Sequence, residues 1–304
     1  MLQQFALASL IANIAIVVTG GAVRLTGSGL GCPTWPRCDG TSYVTTPAQG
    51  YHGVIEFTNR SLTFIVTVLA ALCLIAAWAQ SAAEQPGRRS RIWWAVGVLA
   101  SIPAQAVLGG ITVLTKLNPW VVASHFLVSI VIIAVAYQLW VRARDDAPPA
   151  PGPGRPFQAL TWAITGVTAA VVVAGTITTG SGPHAGDEHA RRTGLRPDMI
   201  AQFHTDLVML LVGLSVAAWF ALRVTRARAA RAAAILVIVE CAQALIGFVQ
   251  YFTNLPIILV GAHMLGACLV WVAALRLLTA TSPAPAGWAR PSVGVPAART
   301  AERV

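Results

Sequence analysis

Charge is what this sequence has least of. Only 11% of its 304 residues are Asp, Glu, Lys or Arg, while 56% are hydrophobic. An ordinary soluble domain carries about 25% charged residues, so a water-solvated surface is excluded for most of the chain. Acidic residues are scarcer than basic ones, 11 against 21. The net charge of +10 by itself says little about nucleic acid, and no nucleic-acid partner is expected; what the charge means depends on where it lies. The apolar run that begins near Met1 lacks a basic n-region and a small-residue cleavage site, which reads as a retained helix and not a signal peptide. Between the runs no segment is long enough for a soluble domain. Cysteine is sparse too, and no second Cys or His pair accompanies Cys32 and Cys38, which makes metal binding the weaker reading of that pair.

What fills the chain instead is a series of apolar stretches of roughly 20 residues, each long enough to cross ~30 Å of hydrocarbon. Eight spans are predicted, at 5–24, 57–80, 92–114, 120–141, 157–178, 201–222, 229–252 and 257–278. The fold class is an all-α integral membrane protein, two tandem four-helix bundles related by pseudo-two-fold symmetry. The segments near 81–91, 142–156, 223–231 and 276–304 hold 14 of the 21 basic residues. The positive-inside rule assigns them to the cytoplasm, with both termini. A multi-pass cell-membrane protein follows, with its polar loops on the outer face. The Pro- and Ala-rich stretch 281–304 reads as a disordered cytoplasmic tail.

The sequence repeats itself. RLTGSG at 24–29 ends the first span and ITTGSG at 177–182 ends the fifth. QAVLGGITVLTKL at 105–117 matches QALIGFVQYFTNL at 243–255 without a gap, and the same register sets His125 opposite His263. The halves are 1–150 and 151–280. Parallel repeats also occur in transporters, so duplication alone does not choose a function.

His204 and His263 each sit one to two turns inside the membrane near the outer ends of their spans. Two imidazoles at matched depth in one bundle can ligate a heme iron from both sides; the alternative is a hydrogen-bonded interhelical pair. The match of His263 to His125 favours ligation, because ionisable groups in membrane spans are functional by default. In the first half the corresponding positions are Asn59 and His125, with Glu56 added. His52, Glu56 and Asn59 share a helix face if that helix starts early; they read either as a polar helix mouth or as part of a site opposite His125. Cys32 and Cys38 lie in an outer loop, where a disulfide persists. Cys73, Cys241 and Cys268 read as small hydrophobes. Glu240 reads as an interhelical hydrogen-bonding acid, and His184 and His189 as solvated loop residues.

The set GGAVRLTGSGLGCPTWPRC, IEFTNR, ASHF, QFH and GAHM, in that order over residues 5–280, resembles the heme A synthase family, in an actinobacterial flavour. The resemblance implies an oxidoreductase that converts the C8 methyl of heme O to a formyl group, giving heme A for cytochrome oxidase. It implies a heme b cofactor between His204 and His263 in the C-terminal half, and a heme O site in the N-terminal half. There Glu56 is catalytic and His125 is the axial ligand; Asn59 replaces the usual histidine and His52 is the alternative second ligand. It also implies the Cys32–Cys38 pair. Arg60 and Arg24 stand as propionate partners or interface anchors. Implied partners are heme O, a heme O synthase as supplier, a quinol or other membrane electron donor and the lipid bilayer, with room for a homo-oligomer. The rival readings are a di-heme b electron carrier and a transporter with parallel repeats.

Overall fold

The computed structural model describes residues 1–83, 89–144, 154–224 and 227–282. These form eight α-helices: α1 Leu2–Leu25, α2 Gly50–Ala83, α3 Arg89–Leu114, α4 Pro119–Ala143, α5 Arg155–Ser181, α6 Pro197–Arg223, α7 Ala227–Phe252 and α8 Ile257–Thr281. All eight are long and apolar enough to cross a membrane. Large apolar side chains such as Phe64, Trp93 and Ile258 are 74–83% exposed, which is favourable only where the surrounding medium is hydrocarbon. The chain is an all-helical multi-pass membrane protein. The expected tail beyond residue 282, the boundary at 150/151 and the arginines at 88, 226, 290, 299 and 303 lie outside the described residues.

The largest departure from the expected spans is the start of α2, which begins at Gly50 and not near 57. The reason is local. A 3-10 turn, Pro47–Gln49, precedes it, closed by a capping box in which the Thr46 and Gln49 side chains satisfy each other's end of the turn. His52 and Glu56 therefore lie on helix, in register with Asn59.

In the first half α1 and α3 each pack against both α2 and α4; in the second, α5 and α7 each pack against both α6 and α8. So α2 stands diagonally from α4, and α6 from α8. The halves meet through α1–α8, α4–α5 and α4–α8, where the Trp271 indole donates to Ile130 O at 2.9 Å and Tyr137 bonds Thr279 at 3.0 Å. Cys73 and Cys268 are buried in the apolar core, as expected of small hydrophobes. Cys241 is exposed, so it faces outward from α7 and packs nothing.

The repeat reappears as equivalent geometry. Lys116 and Leu117, at the end of α3, have φ of 54° and 56°; Asn254 and Leu255, at the end of α7, have 62° and 58°. Side chains rarely adopt this left-handed region. It is stabilised in both places by the same closing bond, Leu117 N to Thr112 O and Leu255 N to Gln250 O, each 2.8 Å.

Candidate functional site

The three intramembrane histidines share one packing device. Each ring rests on a glycine of the neighbouring helix: His125 on Gly109 of α3, His204 on Gly175 of α5, His263 on Gly247 of α7. A Cβ added at these glycines would meet the ring Cε1 at 3.1, 2.9 and 3.2 Å respectively. Lacking that atom, the glycines let an imidazole lie against the backbone. In two of the three places a glutamine one turn away fixes the main chain of the histidine. Gln105 Nε2 donates to His125 O at 3.2 Å, and Gln243 Nε2 donates to His263 O at 2.8 Å.

The Nδ1 atoms of all three rings are buried, those of His125 and His263 without a hydrogen-bond partner, while the His204 ring lies against the Val171 carbonyl one turn before Gly175. With Nδ1 enclosed against the cradle, Nε2 is the ring nitrogen left for an external partner. His204 and His263 lie on diagonal helices of one four-helix half. Two half-buried imidazoles facing one bundle interior fit a bis-histidine iron site, and the residues present are compatible with a heme. Among the described residues no group of three or more His, Cys, Asp or Glu side chains is arranged to hold a bare metal ion.

An added methyl at Gly175 forces the His204 ring to move. Gly175→Ala should lower the thermal midpoint of the detergent-solubilised protein, as expected of an overpacking cost of about 1–3 kcal/mol; Gly166→Ala, which meets open space, is the control.

The first half is built differently. Cys32 and Cys38 are joined in a disulfide, and both are buried. Glu56, 5% exposed, accepts the Cys32 N–H on Oε2 at 2.7 Å and the Arg60 guanidinium on Oε1 at 2.5 and 3.1 Å. Arg60 also donates to the carbonyls of Cys32, Thr34 and Arg37 at 3.0, 3.2 and 3.4 Å. Its fork is thus spent on Glu56 and the disulfide loop. Trp35 of that loop packs on Gly110 of α3, where a Cβ would approach its ring to 2.7 Å or less. Asp39 organises the turn after it. The Thr41 and Ser42 N–H groups and the Thr41 hydroxyl, all bonded to this exposed carboxylate, hold its pKa down at about 2.

His52 and Asn59 are also engaged. His52 Nδ1 lies 2.9 Å from Ser28 Oγ, and Asn59 Oδ1 accepts from Thr19 Oγ1 at 2.8 Å. The polar face of α2 is therefore turned to α1 and the loop that follows it. His125 belongs to the diagonal helix, with its ring nitrogen unbonded. Arg24 donates to His184 O at 2.7 Å and Thr179 O at 3.0 Å, joining α1 to the end of α5 and the loop that follows it.

Two loop and helix expectations resolve clearly. Glu240 does bond across helices, accepting from Ser215 Oγ of α6 at 2.8 Å. His184, expected to be solvated, is half-buried and its Nε2 lies 2.9 Å from Leu255 O; His189 is exposed. Sequence reasoning missed Thr19 and Ser215, ordinary helix residues, and Ser28, an ordinary loop residue, until their partners are in place. Between α2 and α3 an apolar recess of about 340 Å³ is lined by Thr67, Leu74 and Pro103 among others; three turns below Glu56, it offers no titratable group.

These features define a class: a polytopic membrane protein with histidines on its apolar helices and a disulfide loop tied to a buried carboxylate. The chain matches the COX15-CtaA family, described as cytochrome oxidase assembly protein, over residues 3–186. It belongs to that family. The matched stretch contains the whole first half and α5; His204 and His263 lie beyond it. Among curated relatives, the chain is 29% identical over 147 residues to the heme A synthase of Geobacillus thermodenitrificans, covering 48% of this chain and 44% of that one. It is 32% identical over 121 residues to the heme A synthase of Bacillus pumilus, covering 39% and 38%. The heme A synthase of Alkalihalophilus pseudofirmus is 28% identical over 146 residues, covering 48% and 47%. The chain spans less than half the length of each of these relatives.

Proposed function

We propose that this protein is a heme A synthase: an oxidoreductase that takes heme O from the membrane and converts its C8 methyl group to formyl for cytochrome oxidase assembly. The observation that carries the reading is the asymmetry of the two halves within a duplicated chain. The second half opposes two histidines, His204 and His263, on diagonal helices. The first half has one such histidine, His125 on α4, and on the diagonal α2 a buried acid, Glu56, tied to a disulfide loop. A two-imidazole site saturates an iron and suits electron transfer, whereas a one-imidazole site leaves room for a reacting substrate.

In this reading residues 151–280 hold heme b between His204 and His263. Heme b supplies one-electron chemistry when bound. Residues 1–150 hold the substrate, with His125 its axial ligand. Asn59, bonded to Thr19, supports the wall of the site without ligating. His52 bonds Ser28 through Nδ1, which fixes the ring and leaves Nε2 for a second ligand role. Arg60 serves Glu56 and the disulfide loop, and Arg24, anchored through Nε and Nη2, keeps Nη1 for a propionate. The loop between α1 and α2 faces outward and the termini inward, following the distribution of arginine. A heme O synthase supplies the substrate, and a quinol or another membrane donor exchanges the electrons.

The test is chemical extraction of the full-length protein, purified after expression with and without a source of heme O. Heme b together with heme O, a hydroxylated form or heme A is the expected content. Heme b alone, even with heme O supplied, turns the reading into a membrane electron carrier. No heme in either preparation points to a transporter.

A further inference from the structure

We propose that Arg60 is a positioning residue that couples Glu56 to the Cys32–Cys38 ring, so that the carboxylate is held in place only while the disulfide is closed. The geometry is specific to one residue, Cys32. Glu56 Oε2 takes the Cys32 N–H at 2.7 Å, and Arg60 Nη2 gives to the Cys32 carbonyl at 3.0 Å. Between them the pair reads both main-chain groups of a disulfide cysteine, as an adjacent strand would. Arg60 closes the circuit by giving two N–H groups to Glu56 Oε1, at 2.5 and 3.1 Å. It then extends to the carbonyls of Thr34 and Arg37 inside the ring. The arginine, one turn after Glu56 on α2, has a half-buried side chain and the carboxylate beside it is buried.

Physical chemistry makes this coupling reciprocal. If the closed ring stabilises the position of Glu56, then Glu56 and Arg60 stabilise the closed ring by the same free energy. Reduction cleaves the S–S bond and adds two electrons and two protons, supplied by a dithiol or a phosphine, to give two thiols. Cys32 is then no longer tied to Cys38, and its N–H and C=O lose the fixed separation that the Glu56–Arg60 pair matches. Opening the ring thereby releases the carboxylate. A lysine at position 60 keeps the charge but lacks the planar fork that reaches one carboxylate and three carbonyls together.

The proposal rests on the catalytic reading of Glu56 only for its consequence; the coupling itself is read without turnover. The experiment uses the purified full chain with its free thiols blocked by N-ethylmaleimide. Water-soluble phosphine then reduces the disulfide, and a mass-shifting maleimide reports the rate. Arg60→Gln and Glu56→Gln should each speed reduction by about tenfold or more, in keeping with the loss of charge-assisted bonds. Arg60→Lys should be fast as well, and serves if Arg60→Gln does not accumulate. Infrared difference spectra supply the reciprocal readout. Reducing the wild-type ring should shift a carboxylate stretching band, and that band should be missing in Glu56→Gln and unmoved in Arg60→Gln. A wild-type reduction rate in a folded Arg60 variant, or a wild-type spectrum without the carboxylate shift, overturns the coupling. Loss of heme A formation with the coupling intact bears on the catalytic reading alone.

Discussion

Glutamine at position 56 should stop heme A formation while leaving the heme b spectrum of the other half in place. The substitution is nearly isosteric. It retains an acceptor for the Cys32 N–H but removes the charge that pairs with Arg60 at 2.5 Å. What it tests is the carboxylate as a charge or a proton acceptor, separately from its packing. Loss of one such group typically costs 10²–10⁴ in rate, so turnover of supplied heme O should fall by about that factor, with heme O or a hydroxylated product accumulating on the protein. His125→Ala should be as severe, because it removes the imidazole of α4 that serves as axial ligand in this reading. Asn59→Ala should be mild, since it breaks the single bond to Thr19 worth about 1 kcal/mol. Normal heme A production by Glu56→Gln would reduce Glu56 to an anchor for the disulfide loop. Full activity in His125→Ala with none in His52→Ala would exchange their roles.

The second large effect is expected at His263. Its alanine variant should lose the low-spin heme b absorption in reduced-minus-oxidised spectra, and His204→Ala should do the same. Removing a residue that merely supports a metal ligand costs about 10–100-fold in affinity; removing the ligand itself should exceed that. The interpretation depends on the bundle surviving. His263 is half-buried and contributes no side-chain hydrogen bond, while Gln243 bonds its main-chain carbonyl, so the helix pair retains that link in the variant. Membrane accumulation and an intact Cys32–Cys38 disulfide are the controls. An unchanged low-spin signal in both single variants would remove the heme site from the second half.

How much of this was legible in the residues differs from place to place. The eight spans and the repeat were readable because hydrophobic length and an ungapped match are local properties of the string. The glycines at 109 and 247 were visible as repeated positions, but their purpose was not, because the ring each one cradles belongs to another helix. Gly175 had no repeat partner to flag it. The start of α2 was placed seven residues late, since TTPAQGYHG carries the breakers of a loop. The helix forms there because the Thr46 cap and the packed outer loop outweigh those residues. Arg60 looked available for an anionic ligand because its carbonyl partners lie 23–28 residues away in a segment without periodicity. His184 looked solvated for the same reason, its partner Leu255 being 71 residues distant.

Arg24 sits at the end of α1, yet the carbonyls it bonds belong to residues 155 and 160 positions later. Synthesis proceeds at roughly 5–20 residues per second, so those acceptors arrive roughly 10–30 s after the arginine. During that interval the guanidinium needs water or lipid headgroups for its donors. The contact between the halves is therefore a late event in biogenesis, completed only when the fifth helix has been inserted, and the first four helices pass through a stage with their outer end still open.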